Sequence, residues 1–276
     1  MESGATTTTL TCGNTIKKFR LGLAGTYALN AYDLTMTYTS GETTESHIMQ
    51  FNTSDARVVN FEIKSVKFDS SEKSYDVIIA ALDRDLHVVV CDGSAEKDFY
   101  YSTKELTFTE DIISIDQLEF DDDISYFVVC TTNGMWLLKL TLTLGEFGCS
   151  ANLETQDYKS VAANSAYFEG PDKLIYATSN SVHSIGLQSS RLNIRFDTSG
   201  EDTTLVGPIL GIDLKLFKES RIDGRTPDFW FYDGSTLESI ATGATISFSE
   251  MPLGIAADNQ HGTFIGTSTK IYKTTR

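Results

Sequence analysis

The chain alternates short apolar runs with polar turns and nowhere sustains apolar residues at i, i+3, i+4 and i+7 over the length of a helix. YFVVCTTNGMWLLKL (126–140) shows the unit: two apolar runs joined by the turn dipeptide Asn133-Gly134, the pattern of a β-hairpin. Paired runs of the same kind recur in DVIIAALDRDLHVVVCDG (76–93), KLIYATSNSVHSIGL (173–187), DFWFYDGSTLESIA (228–241) and TFIGTSTKIYKT (263–274). An all-β chain is therefore predicted.

A further strand precedes four of the hairpins and closes on an aromatic and a polar turn: FEIKSVKFDS (61–70), ISIDQLEFDD (113–122), VAANSAYFEG (161–170) and LGIDLKLFKE (210–219). Phe68, Phe120, Phe168 and Phe217 align at separations of 52, 48 and 49 residues, a period that fits a four-stranded repeat. Diverged copies stand at LGIAADNQHG (253–262) and LGLAGTYALN (21–30), and more polar fourth strands follow at ESHIMQF, KDFYYSTKELTF, RLNIRFD and ATISFSE. LFKESRIDGRTPD (216–228) reads as a loop insertion on the first turn of the fifth repeat. Divided by the repeat, the 276 residues give six units of about 46 residues. The expected blades are 13–55, 56–108, 109–157, 158–202, 203–249 and 250–276 plus 5–12. The last unit stops on a third strand at 270–273 and the lone β-prone segment 5–12 belongs to no hairpin, so joining the two closes a single six-bladed β-propeller domain without exposed edges. A β-sandwich or jelly roll does not predict a four-strand period kept this often, and an α/β fold needs the missing helices.

Hairpins such as SYFVVCTTNGMWLL and HGTFIGTSTKIYK, each behind an apolar strand and an aromatic-acidic turn, resemble the blades of WD40-like and NHL-like propellers over residues 5–276. The likeness lies in strand pattern, since no unit ends in Trp-Asp and none opens on Gly-His. It implies a binding platform rather than a catalyst.

Charge narrows the partners. With 22 basic against 38 acidic residues the net charge is −16, which repels phosphate backbones and anionic lipid and favours a basic protein or a cation. Nucleic-acid binding and membrane insertion are not expected. Cys12, Cys91, Cys130 and Cys149 form no CxxC pair, and Cys91 and Cys130 lie in apolar runs where a reduced thiol packs as a small hydrophobe. Neither a signal-peptide h-region nor a membrane-length apolar run is visible, so an intracellular location is expected. It becomes a secreted one if the numbering starts after a removed signal peptide, and the sequon Asn52-Thr53-Ser54 would then matter.

Motifs for catalysis are missing: no GxSxG elbow, P-loop, GxGxxG turn, HExxH or EF-hand spacing occurs, and His47, His87, His183 and His261 are isolated. No cofactor or dedicated metal site is expected. Asp121-Asp122-Asp123 reads as a solvated turn before it reads as a calcium site, and Trp136 and Trp230 read as core packing. Aligned on the phenylalanine, the first strands carry Ala24, Lys64, Asp116, Asn164, Asp213 and Ala256 at their fourth place. Lys64, Asp116, Asn164 and Asp213 are thus the candidate ligand-binding layer of a central channel, with Asp116, Asn164 and Asp213 converging on a metal in the alternative reading of a channel-site hydrolase or ligand binder. The leading expectation is a non-catalytic scaffold that binds a partner protein through its loop face and acidic rim; a secreted or particle-surface binding or structural protein is the third.

Overall fold

A computed structural model describes residues 16–274 apart from 31, 41–42, 50, 52–56, 71–72, 93–99, 147, 222–224, 249, 259, 261 and 268–270. The described residues form strands and connecting turns, with no helix among them. β1 (Ile16–Leu21), β2 (Thr26–Asn30), β3 (Asp33–Ser40) and β4 (Thr43–Ile48) make the first antiparallel sheet, paired in chain order. β5 (Val58–Lys67), β6 (Ser74–Leu82), β7 (Asp85–Cys91) and β8 (Tyr100–Thr107) make the second. β9 (Ile112–Glu119), β10 (Ile124–Thr131), β11 (Gly134–Gly145) and β12 (Gly148–Ser160) make the third. In the fourth, β13 (Ser165–Gly170), β14 (Lys173–Ala177) and β15 (Val182–Ser189) pair in order, and both β16 (Ile194–Phe196) and β17 (Thr203–Val206) add to β15. The fifth is seven-stranded: β18 (Lys215–Arg221), β19 (Phe229–Tyr232), β20 (Thr236–Ser239) and β21 (Thr245–Ser247) make one half, and β22 (Gly254–Asp258), β23 (Gly262–Gly266) and β24 (Ile271–Thr274) the other. β22 pairs in parallel with β18 through Glu219↔Ile255, Ser220↔Ala256 and Arg221↔Ala257, so the segments expected as the fifth and sixth blades share one hydrogen-bonded sheet.

The two-residue period of a strand explains how these sheets stack. On β6, Val77, Ile79 and Ala81 pack towards Phe127, Val129 and Leu138 of the third sheet. The alternate residues Ile78, Ala80 and Leu82 pack towards Tyr27, Leu29 and Met36 of the first. β10 repeats the arrangement, sending Phe127 and Val129 one way and Tyr126, Val128 and Cys130 to Ala166, Leu174 and Tyr176 of the fourth sheet. Ile175 and Ala177 meet Leu216 and Phe231 of the fifth, whose Trp230 and Tyr232 meet Ile255 and Ile265. Four cores thus lie between successive sheets among the described residues and a fifth between the two halves of the seven-stranded one, and strands covered on both faces need not alternate in polarity. Each large side chain so buried contributes about 1.5–3 kcal/mol.

A polar tie joins the first two sheets. Buried Asp76 accepts hydrogen bonds from the backbone N–H of Leu23 and Ala24 (both 2.8 Å), from Tyr27 Oη (2.9 Å) and from Ser65 Oγ (2.6 Å). Gly22 admits this approach, because a Cβ there would lie 2.1 Å from the Asp76 carboxylate.

Several expected boundaries move. Residues 22–25 connect β1 to β2 instead of forming a first strand, which lies just upstream in IKKFRL. Lys215–Arg221 is strand, so the insertion in the fifth unit starts only after Arg221. The hairpin turn at 126–140 is centred on Thr132-Asn133, with Cys130 opposite Met135 and Gly134 opening β11. A Cβ on Gly134 would sit 2.1 Å from the Tyr158 ring, which accounts for the glycine. The expected closure of segment 5–12 on 270–273 lies outside the described residues.

Candidate functional site

The first strands of all the sheets border one cavity of about 740 Å³. Charged residues stand at its wall because they interrupt otherwise strand-forming sequences on one face: Lys18 and Arg20 are two apart in β1 and so point the same way. Both reach across to Glu62 of β5. Lys18 Nζ lies 2.5 Å from Glu62 Oε1, Arg20 Nε 2.9 Å from Oε2 and Arg20 Nη2 3.2 Å from Oε1. Lys18 Nζ also donates to Asn60 Oδ1 at 2.8 Å. From β18, Lys218 Nζ donates to Asp116 Oδ2 of β9 at 2.9 Å, and the Phe168 backbone N–H of β13 donates to the same oxygen at 2.9 Å. Arg221 Nη1 lies 2.7 Å from Glu219 Oε1, whose Oε2 accepts from Trp230 Nε1 at 3.3 Å.

These charges act on each other. Burial opposes ionisation of Glu62, but Lys18 and Arg20 outweigh it and hold the carboxyl below the usual range. At Asp116 burial wins over Lys218, the Glu62 charge adds to it, and the carboxyl is raised. Burial lowers Lys18 against the pull of Glu62, and burial followed by the Asp116 charge raises Tyr167. Lys18, Glu62, Asp116 and Tyr167 therefore share one electrostatic neighbourhood.

Of the four residues expected in the channel layer, the structure places Asp116 on the cavity wall. Lys64 is buried in β5, two residues beyond Glu62, with its Nζ 3.9 Å from Glu119 Oε2. Asn164 precedes β13 and ties two sheets, donating through Nδ2 to the carbonyls of Thr178 (3.1 Å) and Leu214 (2.8 Å). Asp213 precedes β18, is exposed, and pairs with Lys215 at 2.9 Å. Asp116 thus lines the cavity, while Asn164 and Asp213 are not among its lining residues. Ala24 lies in the β1–β2 turn and Ala256 in β22. The alignment missed Lys18, Arg20, Glu62, Tyr167 and Lys218. The available signal was a charged side chain set inside a strand-forming run, above all the paired basic residues of IKKFRL.

The remaining candidates resolve into packing and turns. Trp136 packs between the tilted rings of Phe108 (5.4 Å between ring centroids) and Tyr158 (4.3 Å), and Trp230 is buried. Asp121 and Asp123 are gripped by Arg191 of the loop after β15, whose Nη2 lies 2.8 Å from Asp123 Oδ1. His47 stacks on Tyr38, His87 meets the edge of Phe51, and His183 stacks on Tyr176 while bonding Ser181 and Thr204; His261 lies outside the described residues. Burial pushes the thiols of Cys91 and Cys130 up to about 12 and that of Cys149 to about 11, far from thiolate chemistry. Cys12 and the sequon at 52–54 lie outside the described residues. Among the described residues no group of three or more His, Cys, Asp or Glu could hold a metal ion, and no helix is long and apolar enough to cross a membrane.

No protein-family model and no curated protein matches the chain. Among solved structures, the extracellular domain of a hybrid two-component system from B. thetaiotaomicron matches 94% of this chain and 33% of its own, at 13% identity and a TM-score of 0.50. Hsv2 of Kluyveromyces lactis matches over 95% of this chain and 75% of its own, at 10% identity and a TM-score of 0.48. PorZ, a surface component of the type-IX secretion system of Porphyromonas gingivalis, matches over 94% and 36%, at 11% identity and a TM-score of 0.39. The likeness to the first of these is one of fold alone, an all-β arrangement of successive antiparallel sheets. The chain spans about a third of the length of the two bacterial structures.

Proposed function

We propose that the chain is a non-catalytic scaffold, a ring of six blades whose loops and acidic outer surface engage a basic partner protein. The distribution of charge carries the reading. The cavity wall holds Lys17, Lys18, Arg20, Lys218, Arg221 and Arg225 against Glu62, Asp116, Glu119 and Glu219. The wall is locally basic, so the acid excess behind the net charge of −16 belongs to the rest of the chain. Such a field draws a cationic protein surface and raises its rate of encounter. Sheets locked by cores on both sides also present their loops in fixed relation, which suits recognition. Affinity capture from source cells is expected to recover a stoichiometric basic protein whose retention falls as ionic strength rises from ~0.1 to ~0.5 M. Recovery of the chain alone, or of a partner indifferent to salt, overturns the reading.

A further inference from the structure

Three carboxylates of the central cavity share an asymmetry. In the ion pairs of Glu62, Asp116 and Glu219 the cation is the more exposed member, whereas the Lys64–Glu119 pair runs the other way: the Lys18 side chain is 17% exposed and Arg20 37%, against 4% for their partner Glu62. Lys218 is 24% exposed against 9% for Asp116, and Arg221 7% against 0% for Glu219. Glu62, Asp116 and Glu219 form the back of the wall and the heads of Lys18, Arg20 and Lys218 form its accessible face, with Glu119 an exposed carboxylate on the same wall. This is the reverse of the chain as a whole, and it selects a ligand of opposite sign to the expected basic partner.

The donors are incompletely used. Lys18 spends two of its N–H groups on Glu62 and Asn60, which leaves one. Arg20 uses Nε and one hydrogen each of Nη1 and Nη2 on Glu62 and the Phe19 carbonyl, which leaves two. Lys218 gives one to Asp116 and keeps two. Lys18 and Arg20 come from the first sheet and Lys218 from the fifth, so the unused donors approach the cavity from two sides. A volume of about 740 Å³ admits a small organic molecule.

We propose that this cavity binds a small organic or inorganic polyanion, one anionic group held by Lys18 and Arg20 and a second by Lys218. Carboxylates and phosphates offer the same acceptor chemistry to these donors, and charge-assisted hydrogen bonds of this kind are the strong ones. Carboxylates already behind the cations keep them oriented and offset part of their charge, so the wall stays net basic and binding adds an anion to a prepared surface without rearranging it.

Isothermal titration calorimetry of the full chain separates the two sources with citrate in one arm and pyrophosphate in the other, and neutral sorbitol as control. Saturable one-to-one binding of citrate or pyrophosphate is expected, with no heat from sorbitol, and the anion that binds tighter names the group. Arg20→Gln, which leaves the Lys18–Glu62 pair in place, is expected to weaken it ~10-fold or more. Lys218→Gln is expected to do the same in protein whose melting curve remains cooperative. Arg84→Gln, on an exposed cation that pairs with Asp111 outside the cavity, is expected to leave binding unchanged. Absence of saturable binding in both anion arms, unaltered affinity in Arg20→Gln, or equal weakening by Arg84→Gln overturns the proposal.

Discussion

The third sheet and the β18–β21 half of the fifth have the same order of strands and are held in opposite ways. The third has strands of 8, 8, 12 and 13 residues, and every position of β10 is buried. The β18–β21 half has strands of 7, 4, 4 and 3 residues, and β20 alternates between buried and half-buried positions. Short strands bury less apolar surface, and carboxylates at the turns make up for it. Asp228 accepts from the Phe229 N–H (2.7 Å), Ser239 Oγ (2.5 Å) and the Ala241 N–H (3.3 Å), and Asp233 accepts from the N–H groups of Ser235 and Thr236. The parallel pairing of β18 with β22 adds a second hydrogen-bonded neighbour that the third sheet lacks. One topology is thus compatible with an apolar solution and a polar one, and strand length decides between them.

Truncation inside the two cores tests the contrast most strongly. Phe127→Ala is expected to cost about 3–5 kcal/mol in denaturant unfolding, and Phe231→Ala to fall at the low end of that range because its shorter strands can collapse around the gap. Equal losses would break the distinction. Next comes Asp228→Ala, which strands two N–H groups and a hydroxyl and is expected to cost about 2–3 kcal/mol, more than an exposed turn carboxylate in the third sheet such as Asp122. Gly134→Ala sets a Cβ against the Tyr158 ring, whose exposed end can swing away. The expected loss is ~1 kcal/mol, mostly of the Trp136–Tyr158 ring contact, seen as a red shift of tryptophan emission.

The smallest effect is one of pH. The Ser235 N–H, with further help from the Thr236 N–H, holds the Asp233 carboxyl below its ordinary value. A depressed carboxyl contributes stability above the unfolded-state pKa and loses it as the pH falls through the folded one. The wild type is therefore expected to exceed Asp233→Asn slightly in thermal stability at neutral pH, with the gap closing below the ordinary aspartate range. A gap that widens on acidification would contradict the assigned role.

Strand identity was legible in the sequence to the extent that polarity recorded it. The hairpins at 76–93, 126–140 and 173–187 read directly as β6–β7, β10–β11 and β14–β15, because runs covered on both faces are continuous and turns interrupt them. Their depth towards the cavity was not legible. Phe120 lies just past β9, whereas Phe168 falls inside β13 and Phe217 inside β18, since turn lengths differ between sheets. The aromatic marks packing near a turn, not a common height on the first strand. Lys64 and Glu62 share a face of β5, so the offset of two residues kept the side and missed the level. Tyr167 and Lys218 stand at odd offsets from Asp116 relative to their phenylalanines, beyond any alignment that keeps one register.

The division of β6 and β10 between neighbouring cores has a consequence for inheritance. Odd residues of β6 answer to the third sheet and even residues to the first, so substitutions at 77, 79 and 81 are constrained by one partner surface and those at 78, 80 and 82 by another. Drift along such a strand separates into two interleaved histories, each coevolving with a different neighbour, and a single alanine scan of β6 would read them out as alternating couplings.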